Sequence, residues 1–386
     1  MKMKVKRAAA LILAAVMLLV LCPAVYAEGE SPVEIKAKAA VLMDASTGKV
    51  LLSENENDRL YPASVTKIMS LLLIMEAVDS GKIQLSDTVT ASAEASSKGG
   101  SQIWLKEGEQ MTVDELLRAT AIASANDACT ALGEYIAGSS EAFVKLMNAR
   151  AKELGMTQTH FENCTGLDDD TETHLTSALD VAIMSRELLL HDRIRQYSTV
   201  WMDSLRDGKT ELTNTNKLVR FYNGTTGLKT GTTSKAGCCV SASAERDGTH
   251  LIAVVMGSET SNDRFNTAKA LLNWGFANYV TITPEVDGSL IPDVSVIGGM
   301  TDSLTPEISA PVPVLLKKGT EAQVKANVDM AVDVEAPVLR GQVLGTVTFT
   351  VDGVEVGECS LTAPADVAAL TLSVVYKRIL KCIWTQ

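Results

Sequence analysis

The chain has 386 residues, of which 46% are hydrophobic, and its formal net charge is −12. This length provides for two domains with sizeable cores and excludes a single small module. The acidic balance argues against a nucleic-acid partner, because phosphate backbones are bound by basic surfaces.

The N-terminus has the pattern of a secretory signal peptide. It opens with MKMKVKR, continues with an apolar run and ends at VYA before Glu28, where small residues permit cleavage. We expect residues 1–27 to be removed on export, which takes away four positive charges and makes the net charge −16. The alternative interpretation is an uncleaved membrane anchor.

Predicted elements follow in chain order. Two apolar runs around a Ser-Thr-Gly turn in residues 39–55 predict a β-hairpin, and a stretch rich in Gly and Ser at 98–109 predicts a loop. Apolar spacing and capping patterns predict helices over 64–81, 112–124, 140–155, from about 176, and over 261–279. A polar loop precedes the helix at 176, and strands are predicted in TTGLKTGTT, GCCVSASAERDG and THLIAVVMGS.

The composition changes near Pro284. From there short Val-rich runs alternate with Gly and Pro, which predicts a small all-β domain over residues 281–365. Residues 366–386 are predicted to form an amphipathic helix, with one apolar face (Leu372, Val375, Ile379, Ile383) opposite a face that carries Lys377 and Lys381. This pattern is typical of a helix that lies on a membrane surface; a docked terminal helix is the alternative.

Cysteine and histidine usage indicates neither a disulfide framework nor a metal site. Six cysteines remain after removal of residues 1–27, and the adjacent Cys238 and Cys239 are predicted to be buried. The sequence does not exclude a single disulfide bridge. The histidines have no metal-ligand spacing, which argues against a zinc carboxypeptidase, and no cofactor is expected. They are His160, His174, His191 and His250.

Ser64 and Lys67 form the first short motif that could carry chemistry. They are three residues apart, so they share one face of a helix, and Ser64 lies at its positively polarised start. A lysine that is neutral because of burial can take the proton of a serine nucleophile. The alternative is that Ser64 caps the helix and Lys67 lies on the surface.

Two further motifs follow. In IASANDAC, Ser124 and Asn126 lie between two helical runs, where they could relay a proton and hold a substrate amide; ordinary helix capping is the alternative. In TGLKTGTT, Lys229 offers a cation, Thr230 and Thr232 offer hydroxyls, and the glycine permits close approach of a substrate strand. The backbone N–H groups of Thr232 and Ser64 could form an oxyanion hole.

The order of the three motifs, S-x-x-K, S-x-N and K-T-G, is that of β-lactamases and penicillin-binding proteins. In an exported chain of this length, the sequence resembles the low-molecular-mass penicillin-binding proteins, which are serine D-alanyl-D-alanine carboxypeptidases. The stretches LGMTQTHFENCTGLDD and LLNWGF, the β-rich second domain and the amphipathic tail add to the resemblance.

The resemblance implies specific roles for these residues. Ser64 would form an acyl-enzyme with the penultimate D-alanine of peptidoglycan stem peptides, and Lys67 would accept its proton. Ser124 and Asn126 would assist proton transfer and substrate placement, and β-lactam antibiotics would acylate the same serine. The substrate carboxylate end would be held by Lys229, Thr230 and Arg264.

The resemblance also implies a fold and a location. We expect an α/β catalytic domain of the β-lactamase/transpeptidase type over residues 28–280, with one antiparallel sheet, helices on both faces and a mostly helical insertion from Ser64 to about Arg220. Ser64, Asn126 and Lys229 should converge at the sheet edge. The protein would be exported and held at the outer face of the cytoplasmic membrane by its tail.

The sequence departs from the family pattern in three places, and two rival functions are weighed beside the resemblance. Thr232 stands where some relatives have histidine, the middle motif is Ser-Ala-Asn rather than Ser-Asp-Asn, and the loop at 161–180 has no Glu-x-x-Leu-Asn pattern to activate a deacylating water. Slow turnover of penicillin is therefore expected. A secreted β-lactamase and an inactive wall-binding scaffold remain alternatives, whereas a Ser-His-Asp hydrolase would show G-x-S-x-G, which is missing.

Overall fold

The structure, a computed structural model, describes residues 32–168, 171–310 and 312–377. The chain divides into two compact units, residues 1–35 and residues 36–386. All elements named below lie in the second unit, where residues 36–278 are called the N-terminal part and residues 279–377 the C-terminal part. The predicted signal peptide lies outside the described residues.

The N-terminal part is built on one five-stranded antiparallel sheet with the order β2-β1-β9-β8-β7. In chain order its strands and the strands of two small hairpins are β1 (Ala39–Asp44), β2 (Val50–Glu54), β3 (Thr88–Thr90), β4 (Gln110–Thr112), β5 (Met202–Leu205), β6 (Thr210–Thr213), β7 (Thr225–Thr233), β8 (Gly237–Arg246) and β9 (Thr249–Ser258). The predicted hairpin and the three predicted strands are therefore confirmed as one sheet.

Helices cover both faces of this sheet, as expected. In chain order they are α1 (Lys67–Asp79), α2 (Ala93–Ser96), α3 (Val113–Ile122), α4 (Asn126–Ala137), α5 (Ser140–Glu153), α6 (Ala178–Leu189), α7 (Arg195–Ser198), α8 (Leu218–Phe221) and α9 (Ser261–Asn278). α6 packs on β1 and β9, and α9 packs on β8 and β9 from the other side. The elements from α1 to α8 form the mostly helical insertion.

Local sequence explains how these elements form. Every residue of β1 is buried, as expected for a strand covered on both faces. α3 begins with the predicted capping box, in which the Thr112 and Glu115 side chains each accept a hydrogen bond from the other residue's backbone N–H. α9 approaches the sheet closely at Gly275, where an added Cβ would lie 2.6 Å from Leu251 Cδ1 and 3.0 Å from Leu42 Cδ2.

The C-terminal part is β-rich, as predicted. Its strands are β10 (Tyr279–Ile282), β11 (Val294–Ile297), β12 (Ser303–Leu304), β13 (Glu307–Ile308), β14 (Val314–Lys317), β15 (Lys325–Met330), β16 (Asp333–Glu335), β17 (Val343–Val351) and β18 (Val354–Thr362). They form small sheets around apolar clusters, one of which contains Val314, Val347, Phe349 and Leu361. The junction with the N-terminal part is polar, because Thr281 donates its hydroxyl to Asp44 and its N–H to Thr249.

The C-terminal helix was predicted to begin at residue 366, but residues 366–371 are not helical, because Val367 and Ala369 form β-bridges with Val338 and Gly299. Residues 372–377 are helical, and Leu372 is 91% exposed. The remaining residues, 378–386, lie outside the described part of the chain. Among the helices that the structure describes, none has the length and apolar character needed to span a membrane.

Candidate active site

Ser64 and Lys67 lie on consecutive turns at the start of α1. Ser64 belongs to a 3₁₀ turn, Ala63–Thr66, called the Ser64 turn below, and the α-helix begins only at Lys67. The helix was expected to begin at Ser64 itself, so the serine lies just ahead of the α-helix. Lys67 Nζ donates a hydrogen bond to Ser64 Oγ at 3.0 Å, which brings the predicted nucleophile and base together.

Lys67 is enclosed by acceptors and shielded from water. Its ammonium also donates to the side-chain oxygen of Asn126, at 2.5 Å, and to the carbonyl oxygen of Thr165, at 2.9 Å. The residue has no exposed surface, and this burial lowers the pKa of Lys67 from 10.5 to about 8, with Cys129, Cys164 and Asp127 opposing the shift. A lysine with such a pKa loses its proton far more readily than a surface lysine.

Gly166 and Gly231 pack closely against the Ser64 turn. Ala63 has a φ of 49°, a left-handed conformation that is uncommon outside glycine. An added Cβ at Gly166 would lie 1.8 Å from Ala63 O, and one at Gly231 would lie 2.8 Å from Ser64 N. The glycine of the K-T-G motif was interpreted as room for a substrate strand. In the structure its small size allows β7 to approach the turn that carries the nucleophile.

The second motif forms the sharp connection between α3 and α4. Ser124 is buried and has a φ of 63°, and Asn126 is the first residue of α4. The Asn126 amide is fixed at both ends, since Nδ2 donates to Gly99 O at 2.7 Å while Oδ1 accepts from Lys67. Asn126 thus orients the lysine directly, and Ser124 lies two residues away in the same turn.

The third motif lies on β7, at the edge of the central sheet. Lys229 is buried and donates to the carbonyl oxygen of Thr230 at 2.9 Å. Burial lowers the pKa of Lys229 well below its ordinary value, and repulsion from Lys67 and Arg264 adds to the effect. The third motif lies next to the first, since an added Cβ at Gly231 would lie 2.8 Å from Ser64 N, and this agrees with the predicted convergence.

Thr230 and Thr232 differ in their surroundings. Thr230 is buried, and its hydroxyl donates to Thr215 Oγ1 at 2.7 Å. Thr232 is exposed, and its hydroxyl donates to the carbonyl oxygen of Gly231. Only the second hydroxyl faces solvent at the sheet edge, where a substrate can reach it.

Arg264 links the two strands next to the site. Its Nη1 donates to Gly231 O and Thr232 Oγ1, both at 2.9 Å, and to Cys239 O at 3.2 Å. The side chain is only 7% exposed. A place near the substrate carboxylate was expected for Arg264; the structure places it directly behind Thr232, whose hydroxyl it orients.

Sequence reasoning missed the loop that closes the site behind Lys67. In this loop Asn163 Oδ1 accepts hydrogen bonds from the backbone N–H groups of Thr165 and Gly166, which turns the Thr165 carbonyl toward Lys67. His174 ties the loop to the Ser64 turn, since its Nδ1 accepts from Glu162 N and its Nε2 therefore donates to Thr66 Oγ1. The Asn-Cys-Thr-Gly sequence is typical of such a side-chain-stabilised turn.

Asp127 was also missed. Its buried carboxylate accepts hydrogen bonds from the backbone N–H groups of Ile103 and Leu105, so it holds the 98–109 loop against α4. An acidic residue at the start of an otherwise apolar helix was the available signal. The described cysteines are all free thiols, so no bridge is found among them.

Known proteins share both the sequence and the fold. The family model for D-alanyl-D-alanine carboxypeptidase matches residues 26–260, and the model for the C-terminal domain of penicillin-binding protein 5 matches residues 279–369. The D-alanyl-D-alanine carboxypeptidase DacF of Bacillus subtilis is 42% identical over 99% of both chains.

Solved structures give the same result. Penicillin-binding protein 5 of Haemophilus influenzae superimposes with a TM-score of 0.77 at 32% identity, covering 88% of this chain and 100% of that one. Penicillin-binding protein D2 of Listeria monocytogenes, in its ampicillin-bound form, superimposes with a TM-score of 0.56 at 29% identity. It covers 63% of this chain and 98% of its own length.

Proposed function

The chain belongs to the D-alanyl-D-alanine carboxypeptidase family, and on that premise we propose that it removes the terminal D-alanine from peptidoglycan stem peptides through an acyl-enzyme on Ser64. The observation that carries this proposal is the 3.0 Å hydrogen bond between Lys67 Nζ and Ser64 Oγ. Burial lowers the pKa of Lys67 to about 8, so that a useful fraction is neutral near physiological pH and can act as a base.

Acylation begins when Ser64 Oγ attacks the carbonyl carbon of the penultimate D-alanine and gives its proton to neutral Lys67. The tetrahedral oxyanion is stabilised by the backbone N–H groups of Ser64 and Thr232. The close approach of Gly231 to Ser64 supports this pairing, because it brings the two backbone segments together.

The leaving group departs when the C–N bond breaks and the amine of the terminal D-alanine takes up a proton. Lys67 supplies that proton, with Ser124 as the relay, and an ester on Ser64 remains. A water molecule then attacks the ester carbon, transfers its proton to Lys67, and releases the shortened stem peptide and the free serine hydroxyl. Asn126 keeps the lysine in position throughout, which its direct hydrogen bond supports.

The substrate carboxylate is held at the edge of β7. Lys229 provides positive potential from beneath the strand, and the exposed hydroxyl of Thr232 provides a hydrogen bond. Arg264 adds charge and orients Thr232 from behind, which its hydrogen bonds to Gly231 and Thr232 support. Thr230 contributes mainly by fixing the strand to Thr215.

β-Lactams acylate the same serine, because their strained amide presents a carbonyl carbon and a carboxylate at comparable positions. The test is therefore the intact mass of the purified protein after brief exposure to penicillin, followed by an assay of D-alanine release from a D-Ala-D-Ala peptide. One adduct of the drug's mass and D-alanine release are expected for the wild type, and neither for Ser64→Ala. Ser97→Ala, which alters an exposed serine, is the matched control and should behave as wild type.

The rival functions give different results. Rapid hydrolysis of the drug without a lasting adduct would favour a β-lactamase. Absence of both an adduct and drug hydrolysis in the wild type would favour an inactive scaffold, whose wall binding should survive Ser64→Ala.

The domain boundaries and the location extend the proposal. Residues 28–280 form the catalytic domain, residues 281–365 form the β-rich domain, and the amphipathic tail from residue 366 onward holds the exported protein at the outer face of the cytoplasmic membrane. The helical conformation of residues 372–377 and the exposure of Leu372 support the last point. Flotation with anionic lipid vesicles should depend on residues 366–386; equal flotation without them would contradict the anchor.

A further inference from the structure

The side chain of Trp104 lies on the protein surface, on the loop that contacts Asn126 of the Ser64 site. Its side chain is 74% exposed, and its backbone has a φ of 61°. Left-handed backbone is costly for a bulky residue, by roughly 1–3 kcal/mol, and tends to occur where function requires it. A solvent-exposed indole on strained backbone therefore needs an explanation that packing does not provide.

The surroundings of Trp104 fix this presentation. The residues on either side, Ile103 and Leu105, are 2% and 4% exposed, and both donate their backbone N–H groups to the buried carboxylate of Asp127. Holding both neighbours inward leaves the residue between them pointing outward. Asp127 follows Asn126 directly, so the Trp104 backbone is anchored to the same helix start that orients Lys67.

Trp104 lines an open cleft of about 580 Å³, called the Trp104 cleft below. The other side is formed by Arg206 and Thr210 of the β5–β6 hairpin, with Lys106 and Glu107 at the rim. Arg206 is fixed by hydrogen bonds to Glu109, to the Ile103 carbonyl and to Thr210, so it forms a rigid wall of the cleft. The cleft thus combines an aromatic face with polar groups of both signs.

The loop that carries Trp104 contacts a residue of the Ser64 site. The Asn126 N–H donates to the Ser101 carbonyl at 2.7 Å, and Trp104 is three residues further along. Three residues span at most about 11 Å, so the Trp104 backbone lies within that distance of the contact with Asn126, the residue that also holds Lys67. The four stem residues between the scissile bond and the sugar span about 14 Å when extended, a length comparable with this separation.

We propose that the Trp104 cleft binds the saccharide of the glycan strand whose stem peptide is being trimmed. The proposal rests on the peptidase function proposed above. A pyranose offers an apolar C–H face that stacks on indole, and hydroxyl and acetamide groups that pair with the exposed side chains of Lys106 and Glu107. The charged groups lining the cleft make it unsuited to a lipid chain.

The test compares two substrates on the full-length protein. One is a glycan disaccharide that carries the pentapeptide, and the other is the same pentapeptide without sugar. Trp104→Ala should lower the ratio of kcat/KM for the first substrate to that for the second about tenfold, mainly through KM, because stacking is lost. Phe221→Ala removes another exposed aromatic side chain, at the end of α8 and outside the Trp104 cleft. It should leave this ratio unchanged.

A second measurement uses binding alone. Peptide-free glycan tetrasaccharide, titrated into Ser64→Ala, should change the tryptophan fluorescence, and the change should disappear in the Ser64→Ala Trp104→Ala double variant. The adduct with penicillin serves as the fold check for Trp104→Ala.

The outcomes separate the two proposals. An unchanged ratio in Trp104→Ala, or equal losses on both substrates, overturns glycan binding while leaving the peptidase in place. Saccharide binding that persists without Trp104 also overturns it. Failure of the wild type to release D-alanine from either substrate would instead overturn the peptidase function.

Discussion

Buried polar side chains are distributed very unequally between the two parts of the chain. In the N-terminal part, fully or almost fully buried residues include Lys67, Asp127, Lys229 and Arg264. Among the described residues of the C-terminal part beyond β10, the one polar side chain in this class is Thr362. Burial of charge is expensive, so a protein retains it where chemistry needs a shifted pKa or a fixed hydrogen bond.

The difference has a physical consequence for each part. In the N-terminal part, the buried charged side chains are held by hydrogen bonds to neutral side chains and backbone groups, so the site is sensitive to small changes. The C-terminal part is stabilised mainly by apolar clusters and strand pairing, so its surface should tolerate substitution. Four predictions test this contrast, from the largest expected effect to the smallest.

Replacement of the buried lysine should have the largest effect. Lys67→Met keeps the volume and removes the base, so the rate of acylation by penicillin should fall about 1,000-fold or more. Stopped-flow or mass-based acylation kinetics measure this, with circular dichroism as the fold check. Lys325→Met, on an exposed position of β15, is the control and should acylate normally. An acylation rate of Lys67→Met within tenfold of wild type would remove Lys67 from the mechanism.

Gly231→Ala should damage both stability and rate. Its new Cβ would lie 2.8 Å from Ser64 N and 2.9 Å from Ala63 Cβ, so either β7 or the Ser64 turn must move. We expect a loss of about 1–3 kcal/mol in the free energy of unfolding and a fall in acylation of roughly 10–100-fold, because the nucleophile is displaced. Denaturant unfolding and acylation kinetics measure the two effects.

Gly288→Ala is the matched control in the C-terminal part. It meets no heavy atom within 4 Å, and its backbone is not left-handed. It should change neither stability nor rate. Equal effects of the two substitutions would contradict the idea that the tight approach at Gly231 matters.

The pH dependence of acylation should report Lys67. The base is active when neutral, and burial lowers the pKa of Lys67 to about 8. The acylation rate should therefore rise about tenfold per pH unit below 8 and level off above it. The buried His174 and His250 do not contribute in this range, because burial lowers the pKa of each to about 4. A rate that is flat between pH 6 and 8 would be inconsistent with a lysine base.

Much of this architecture follows from the sequence. The strands and longer helices were predictable because their apolar spacing and caps, such as Thr112 with Glu115, are local features. The three motifs pointed to Lys67, Asn126 and Lys229 through their order along the chain, which resembles that of the penicillin-binding proteins; each motif alone is equally compatible with a helix cap or a turn. The observed start of α1, Lys67, lies three residues after the predicted start, Ser64. Ala63 has a left-handed backbone and is in close contact with glycines that are distant in the sequence, which local patterns do not reveal.

The remainder depends on contacts between segments far apart in the chain. The Thr165 carbonyl beneath Lys67 and the link from Arg264 to Thr232 leave no periodic signal, because backbone carbonyls and single buried arginines look the same in any sequence. The short strands β3 to β6 were likewise missed, since three or four residues are too few to show an alternating pattern.

Removal of the C-terminal part should have the smallest effect on chemistry. A chain that ends at Thr283 keeps the hydrogen bonds from Thr281 to Asp44 and Thr249, so the end of the N-terminal part stays fixed. The hydrogen bonds of Lys67 also end on residues that remain.

We therefore expect the shortened chain to acylate within about twofold of the full-length rate. Its β10 loses the partner strand β14, so lower solubility is expected without a change in rate. Acylation kinetics and the unfolding midpoint, measured at equal protein concentration, separate these effects. A tenfold fall in acylation rate with an unchanged unfolding midpoint would mean that the C-terminal part acts on the site, and the proposed boundary at residue 280 would then divide one functional unit.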